Sequence, residues 1–273
     1  MKQLMIFSFT FAAFAAAQEP SFEQPAYETA LPMRLEVGTN HSYAGKDYGY
    51  WRGADVQLWI RYSKRFIPVL TIDSQTRPQG TQQTFGFFSY MNWTRSFYTT
   101  QGVSFAPQLS PFGAVQPIYF PKQRYDVKAY YKLPSKPSLV LDAGITYVDY
   151  GGHLKGEIFS TGFIYYPKKM VIDGNLFVNH NQPGGKVTAA GSLSAQYGRE
   201  GKYWIGATVS GGHEAYRYFA AGPVDVNLNG YSTQVFFRKW MSRHTGFVLS
   251  LDQQTKFSAY SRIGVIAKMF FEF

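Results

Sequence analysis

Histidine and serine are the residues of this 273-residue chain that come nearest to catalytic chemistry, and their spacing argues against it. His41, His153, His180, His213 and His244 are spread over separate segments, with no interval that would hold a metal ion or an acid–base couple. We read them as solvated side chains, and the sequence nominates no catalytic residue, no metal ligand and no cofactor site. His41 beside Ser42 has the composition of a hydrolase pair at a membrane surface. In an extended chain neighbouring side chains point to opposite faces, so these two do not meet. A membrane-embedded lipid- or glycan-modifying hydrolase is therefore the alternative reading and not the leading one. Gly184-Gly185 and Gly211-Gly212 lack the strand-to-helix setting of a phosphate loop. There is no cysteine, hence no thiol chemistry and no disulfide.

The charged residues follow a clearer rule, a period of two. On this reading Glu36, Asp55, Asp126, Asp142, Glu157, Asp173, Asp252 and Glu272 share the inner faces of strands with Arg61, Lys128, Lys132, Arg238, Arg262 and Lys268. With both signs in similar numbers, ion pairs or a narrow polar pore are expected instead of a strongly ion-selective channel. The plain alternative is that these charges only keep an interior polar.

Strands must position such residues, and the last one is the clearest. From Tyr260 to Phe273, Ile263, Val265, Ala267, Met269, Phe271 and Phe273 fall on one face, and Arg262, Gly264, Lys268 and Glu272 on the other. Ile266 and Phe270 break the pattern. Similar alternation recurs in Leu35 to Tyr43, Ala54 to Ser63, Arg124 to Leu133, Leu139 to Tyr147, Tyr203 to Ser210 and Thr245 to Gln253. Repeated segments of about ten residues predict an all-β fold, a transmembrane antiparallel up-and-down β-barrel with an apolar outer face and a polar inner one. We count about 14 strands, or 12 if the weakest are dropped; the third, with Pro68, and the fifth are the poorest.

Composition and the N-terminus agree with this. Aromatic residues make up 18% of the chain, with 24 Phe, 21 Tyr and 26 Gly. Lys2, the apolar run Leu4 to Phe14 and Ala15-Ala16-Ala17 read as a signal peptide over 1–17, cut near Ala17. Residues 18–32, with Glu19, Glu23 and Glu28 among prolines, read as a periplasmic linker, and 33–273 as one barrel domain. The net charge of +10 invites a nucleic-acid reading, but the chain is exported and its positive charge is scattered through turns, so no nucleic acid is expected. The short connections at Lys64, Arg95, Lys136, Lys168, Arg199 and Met241 are tight and basic, and those between are longer. That asymmetry places the short set on the periplasmic side, where basic turns meet anionic headgroups or an acidic partner.

Three stretches carry a family resemblance: Tyr50-Trp51-Arg52, Phe120-Pro121-Lys122-Gln123-Arg124-Tyr125, and Phe237-Arg238-Lys239-Trp240-Met241-Ser242. With the aromatic C-terminus they resemble the YaiO family of outer-membrane β-barrels over most of the mature chain. The resemblance implies an integral outer-membrane location and this fold. It implies no catalytic motif. Expected partners are outer-membrane lipids, the barrel assembly machinery reading Phe271 and Phe273, and a periplasmic or polysaccharide partner.

A barrel of this size is wider than side chains alone readily fill. We therefore expect a narrow, partly occluded pore for small solutes or an envelope structural component. Closure would come from large inward side chains such as Trp59, Tyr90, Tyr130, Trp204 and Phe236, or from the loops Pro107 to Pro121 and His213 to Asn229. Arginine at Val265, on the lipid face, is expected to be costly, and serine at Gly264 mild.

Overall fold

In a computed structural model the chain forms a closed barrel of fourteen antiparallel strands, each paired with its sequence neighbours and β1 with β14. The structure describes residues 31–45, 48–61, 63–78, 80–107, 120–152, 154–182, 184–218, 224–256 and 260–273. The side chains of 186 and 214–228 are outside that set. So are the expected signal peptide, nearly all of the linker, His153 and most of the Pro107 to Pro121 loop.

The strands are β1 Met33–Tyr43, β2 Tyr50–Ile60, β3 Phe66–Arg77, β4 Gly80–Asn92, β5 Phe97–Phe105, β6 Gln123–Lys132, β7 Leu139–Gly151, β8 Leu154–Tyr165, β9 Met170–Gln182, β10 Lys186–Arg199, β11 Tyr203–Tyr218, β12 Val224–Trp240, β13 Thr245–Lys256 and β14 Tyr260–Glu272. Among the described residues there is no helix. The larger count is the correct one, and β3, in spite of Pro68, is a complete strand paired on both sides.

The barrel closes where its two ends meet. Arg34 to Tyr43 pair in unbroken register with Glu272 to Ile263. Met33 and Phe273 exchange both backbone hydrogen bonds, at 2.9 and 3.0 Å. Closure leaves no sheet edge, which is the condition for strands in lipid.

Alternation sorts the side chains as the membrane requires. Val37, Leu70, Ile72, Val127, Leu141, Ile205, Val235, Leu251, Ile263 and Val265 are exposed on the outside. Aromatic residues border this belt in cross-strand pairs. Tyr43–Tyr50, Phe85–Phe105 and Tyr125–Tyr147 lie toward the end opposite the termini, with centroids 5.1, 5.5 and 6.3 Å apart. Tyr197–Tyr203 and Phe237–Phe247 lie toward the end that holds the termini, at 6.5 and 6.0 Å. From Phe97 to Phe105 along β5 is about 27 Å at ~3.4 Å per residue. With a tilt near 40° that is about 21 Å of height, a little under the apolar band of about 25 Å found in such barrels.

The short turns at the terminal end share a device. The hydroxyl of Ser63 accepts from the amides of Arg65 and Phe66 at 3.2 and 3.0 Å. Thr94 does the same for Ser96 and Phe97, and Ser242 for His244 and Thr245. A Ser or Thr leading the turn satisfies amides that the ladder cannot, so these turns need no extra residues.

Two sequence-based expectations fail here. The connections opposite the termini are not uniformly the longer set, since β3–β4, β7–β8 and β9–β10 are joined by two, two and three residues, no more than the turns at the terminal end. His213 to Asn229 is not a free loop, because His213 pairs with Asn229 and the ladder continues to Tyr218 and Val224. On β12 Val224, Val226 and Leu228 alternate with Asp225, Asn227 and Asn229, but with the opposite parity to the exposed Tyr231 and Val235 lower on the same strand. Backbone pairing does not need one parity and continues.

Candidate functional site: the lumen and its packed floor

At the terminal end the inward positions of almost every strand are large or charged. Trp59 stacks on Tyr90 at 5.8 Å beside Ile67, Val69 and Phe88. Tyr98 stacks on Tyr130 at 4.5 Å, and Tyr130 packs with Val140, Ile164 and Val171. Trp240, Val248 and Phe270 form a third cluster. Trp204 packs against both of the last two, joining the two sides of the ring. Tyr130 and Phe270 are completely inaccessible to water. Phe270, which looked like an error of alternation, is an inward residue of this floor. Gly246 makes room for it, since a Cβ there would lie 2.1 Å from the ring.

Charged side chains cross the lumen at the same level. Arg34 Nε donates to Glu272 at 2.7 Å, and its Nη2 donates to Glu200 at 2.6 Å. Arg238 donates to both oxygens of Glu36, at 2.9 and 3.2 Å. Strands β14 and β13 separate β1 from β12, so the last pair spans two intervening strands, as Lys128 and Asn175 do between β6 and β9. Trp204 donates to Glu200 and Trp240 to Glu272, each at 3.3 Å. Arg34 and Arg238 also lie within 5.8 Å of the Trp240 and Phe270 ring centres. Buried charges of both signs, joined by hydrogen bonds, make a floor that holds as a unit, because loss of one member strands another.

Above the floor the ion pairs lie along the wall. Lys268 on β14 reaches Asp55 on β2 at 2.6 Å, crossing the intervening Gly38 of β1. Lys128 on β6 is 3.0 Å from Asp142 and donates to Asn175 on β9 at 2.8 Å, passing Gly144 and Gly162. Arg262 and Asp252 meet at 2.6 Å. Arg124 binds both oxygens of its own-strand neighbour Asp126, at 2.8 and 2.7 Å, and Thr146 donates to the same carboxylate. Arg61, just past β2, donates to the Leu31 carbonyl and lies 3.9 Å from Glu272. Lys132 is half-buried at the foot of β6. Nearer the loop end, Trp51 lies between Arg77 and Arg262, at 4.0 and 5.5 Å, with Tyr260 edge-on.

Two expectations need correction. Glu157 faces outward, sharing the parity of the exposed Phe159 and Phe163, and lies 3.5 Å from His180 on the neighbouring strand. It pairs with Tyr147 of the upper girdle, at a height where headgroups and water accept a charge. Gly264 is not a mild position either, because a Cβ would lie 2.5 Å from Asp252 Oδ1 and 3.0 Å from Ser42 Cβ.

Arg34 and Glu200 are floor residues the sequence reading missed. Arg34 shares the parity of Glu36 and was legible from it. Glu200 sits on a turn, where no periodicity shows that it points inward. Of the histidines, exposed His41 lies 3.4 Å from Thr39, His213 2.5 Å from Asn229, and His244 3.0 Å from the Glu272 carbonyl. Among the described residues no three His, Asp or Glu side chains form a metal-binding group. Phe271 and Phe273 are exposed on the outer surface. Of the expected closing loop, only the base is described: Phe120 is buried against Ala106, and its amide donates to Gln82 at 2.8 Å.

The family model of the YaiO membrane beta barrel domain matches residues 33–217. Among solved structures the barrel resembles the CymD monoaromatic hydrocarbon channel, with a TM-score of 0.60, 10% identity and 90% of each chain covered. It also resembles a bacterial polysaccharide outer membrane secretin, with a TM-score of 0.54, 9% identity, and 90% of this chain and 99% of that one covered. The Acinetobacter baumannii outer membrane protein Omp33 gives 0.52 and 14%, with 89% and 100% covered. At such identities the likeness is one of fold. No curated protein sequence matches the chain.

Proposed function

The chain belongs to the YaiO membrane β-barrel family, an outer-membrane barrel, and from that premise we propose that its lumen is a narrow conduit for small polar solutes, constricted at the periplasmic end. The observation that carries this reading is the contrast between two levels of one lumen. The floor is packed with Trp, Tyr and Phe and crossed by ion pairs. Above it the inward positions carry glycines, small polar residues and charged side chains such as Lys268 over Gly38 and Lys128 over Gly144, with large rings packed together again at Trp51 and Tyr260 near the opposite end. Passage then depends on displacing part of the floor, with Trp204, which joins two of its clusters, as the natural hinge of the closure. The exposed Phe271 and Phe273 belong in this reading to assembly, as residues the barrel assembly machinery reads on the last strand.

Planar-bilayer conductance tests this. Intact protein should give small or intermittent currents, and Trp204→Ala or Trp59→Ala larger and steadier ones. A large steady current from the unmodified barrel would make it an open porin. Silence from every variant would leave an envelope scaffold or a membrane hydrolase.

A further inference from the structure

Resting on the conduit reading, we infer that the lumen carries a binding wall for neutral carbohydrate, formed by β9 to β13 above the floor. The registers place side chains of one kind in rows across these strands. Asn175, Ser192, Ser210, Ser232 and Gln254 are mutual partners in successive pairings, so five adjacent strands present an amide or hydroxyl at one height. One row lower, Ser194, Thr208 and Gln234 stand side by side, bounded by Asp173 and Asp252. Below them Phe236 lies over Gly206, where a Cβ would meet its ring at 2.5 Å, and Trp204 follows one row further down.

On β10, β11 and β12 these rows hold no charged residue, whereas β1, β2, β6, β7, β13 and β14 all carry ion pairs. The two bounding aspartates are already engaged, Asp252 by Arg262 and Asp173 by Asn175. Thr208 Oγ1 is buried without a hydrogen-bond partner. Such a wall offers both donors and acceptors at each height, with Ser210 bonded to Ser232 and charge confined to its margins, where Lys128 reaches Asn175 and Arg262 neighbours Gln254. Its rungs repeat at the strand spacing of about 4.8 Å, a pitch comparable with one sugar ring. The aromatic shelf suits the apolar face of a pyranose, and the hydroxyl and amide rows suit its edge. Anions and cations gain nothing from it, and apolar solutes would leave buried polar groups unpaired. Small side chains at Ser192 and Ser194 leave room for a ring above the Phe236 shelf. The class of ligand is thus an uncharged oligosaccharide, lying along the β10–β12 wall.

The test is equilibrium binding to the folded protein in detergent, read by calorimetry, with maltohexaose and cellohexaose as neutral probes. Hexagalacturonate serves as the polyanionic probe, and polyethylene glycol of similar mass as the size control. At least one neutral hexasaccharide should bind, and Thr208→Val with Gln234→Leu should weaken it at least tenfold. Phe236→Ala should weaken it as well, each variant keeping the heat-modifiability of the native barrel. Glu157→Gln, on the outer face of β8, should leave binding unchanged. Binding of hexagalacturonate as tight as that of the neutral sugars, or of polyethylene glycol alone, would overturn the assignment. Failure of both neutral sugars would overturn it too, while bilayer currents would still judge the conduit separately.

Discussion

Arg34 and Glu200 are 166 positions apart in the chain, yet Arg34 Nη2 donates to Glu200 Oε1 at 2.6 Å. Arg34 begins the first strand, and Glu200 sits on the turn that leads into β11, with β14, β13 and β12 between them around the wall. The contact ties a turn of the terminal end to the closing seam and completes the floor from beyond the lipid boundary.

A pH dependence follows from it. Burial works against the ionised form of Glu200, but Arg34 and Arg238, with hydrogen bonds from Arg34 and Trp204, outweigh burial and hold its carboxyl below the usual 4.5. Because the folded value is the depressed one, the stabilisation is present above about pH 4.5 and is lost as pH falls through the lower folded value. Glu200→Gln should therefore lower the heat-modification midpoint at pH 7. The gap between the two proteins should close well below pH 4.5. A gap that persists unchanged in acid would show that charge at Glu200 contributes nothing.

Gly38 supports a second prediction. A Cβ there would lie 2.6 Å from Lys268 Cγ and 2.7 Å from Asp55 Oδ1, so any side chain intrudes on the ion pair that crosses β1. Gly38→Val should destabilise the folded barrel by roughly 1–3 kcal/mol through overpacking, and more if Lys268 is forced off Asp55. Combining it with Asp55→Asn and Lys268→Met in a reversible unfolding series should show strong non-additivity. Simple additive losses would mean that the glycine has no part in the pair.

Much of this was legible from period two, and the failures have physical causes. Facing could be read wherever lipid meets one side of a strand and water the other, as in β1, β2 and β14. It failed beyond Gly212, where Val224, Val226 and Leu228 alternate with the opposite parity to Tyr231 and Val235 of the same strand. It misled at Glu157, because a charge at headgroup height looks like a lumen residue when sign alone is read. Phe270 looked like an error because a packed floor takes apolar residues on the polar face. Ile266 is inward and buried above that floor, beside Asn40 and Ser250. Glycines such as Gly38 and Gly144 looked like neutral fillers, and only the register shows which long side chain crosses each one.

The lipid face gives a third prediction. Val265 is 48% exposed on the outer surface of β14, opposite His41 and Leu251. Arginine there should cost roughly 2–4 kcal/mol if the position is near the bilayer midplane, whereas Val265→Leu should be nearly neutral. Unfolding from lipid vesicles measures both. Serine at Gly264 is no longer a suitable control, since it would press on Asp252. An arginine tolerated at Val265 would reverse the assigned facing of the whole strand.

The last prediction concerns the turns of the terminal end. Lys64, Arg65, Lys168, Lys169, Lys202 and Arg243 are exposed, and Arg95 and Lys136 complete the set so that each of the six short connections carries a cation. Glu200 is the carboxylate among these connections, and Arg34 draws it into the floor. The rim that remains is cationic around the circumference, directly below the aromatic girdle of Tyr203 and Phe237. An even ring at headgroup height suits anionic phospholipid better than a protein partner, which would be met by a patch on one side. Each basic residue near such a surface is worth about 1 kcal/mol. Raising the phosphatidylglycerol content of vesicles should therefore slow unfolding of the native barrel, and Lys64→Gln with Lys168→Gln and Lys169→Gln should reduce that effect, as should added salt. Cysteines at Lys64 and Lys168 should be shielded from an impermeant maleimide in intact cells, while cysteines at Thr81 and Gln182 react. Labelling at Lys64 and protection at Thr81 would place the ring on the outer leaflet, and indifference to phosphatidylglycerol would leave the ring without a lipid role.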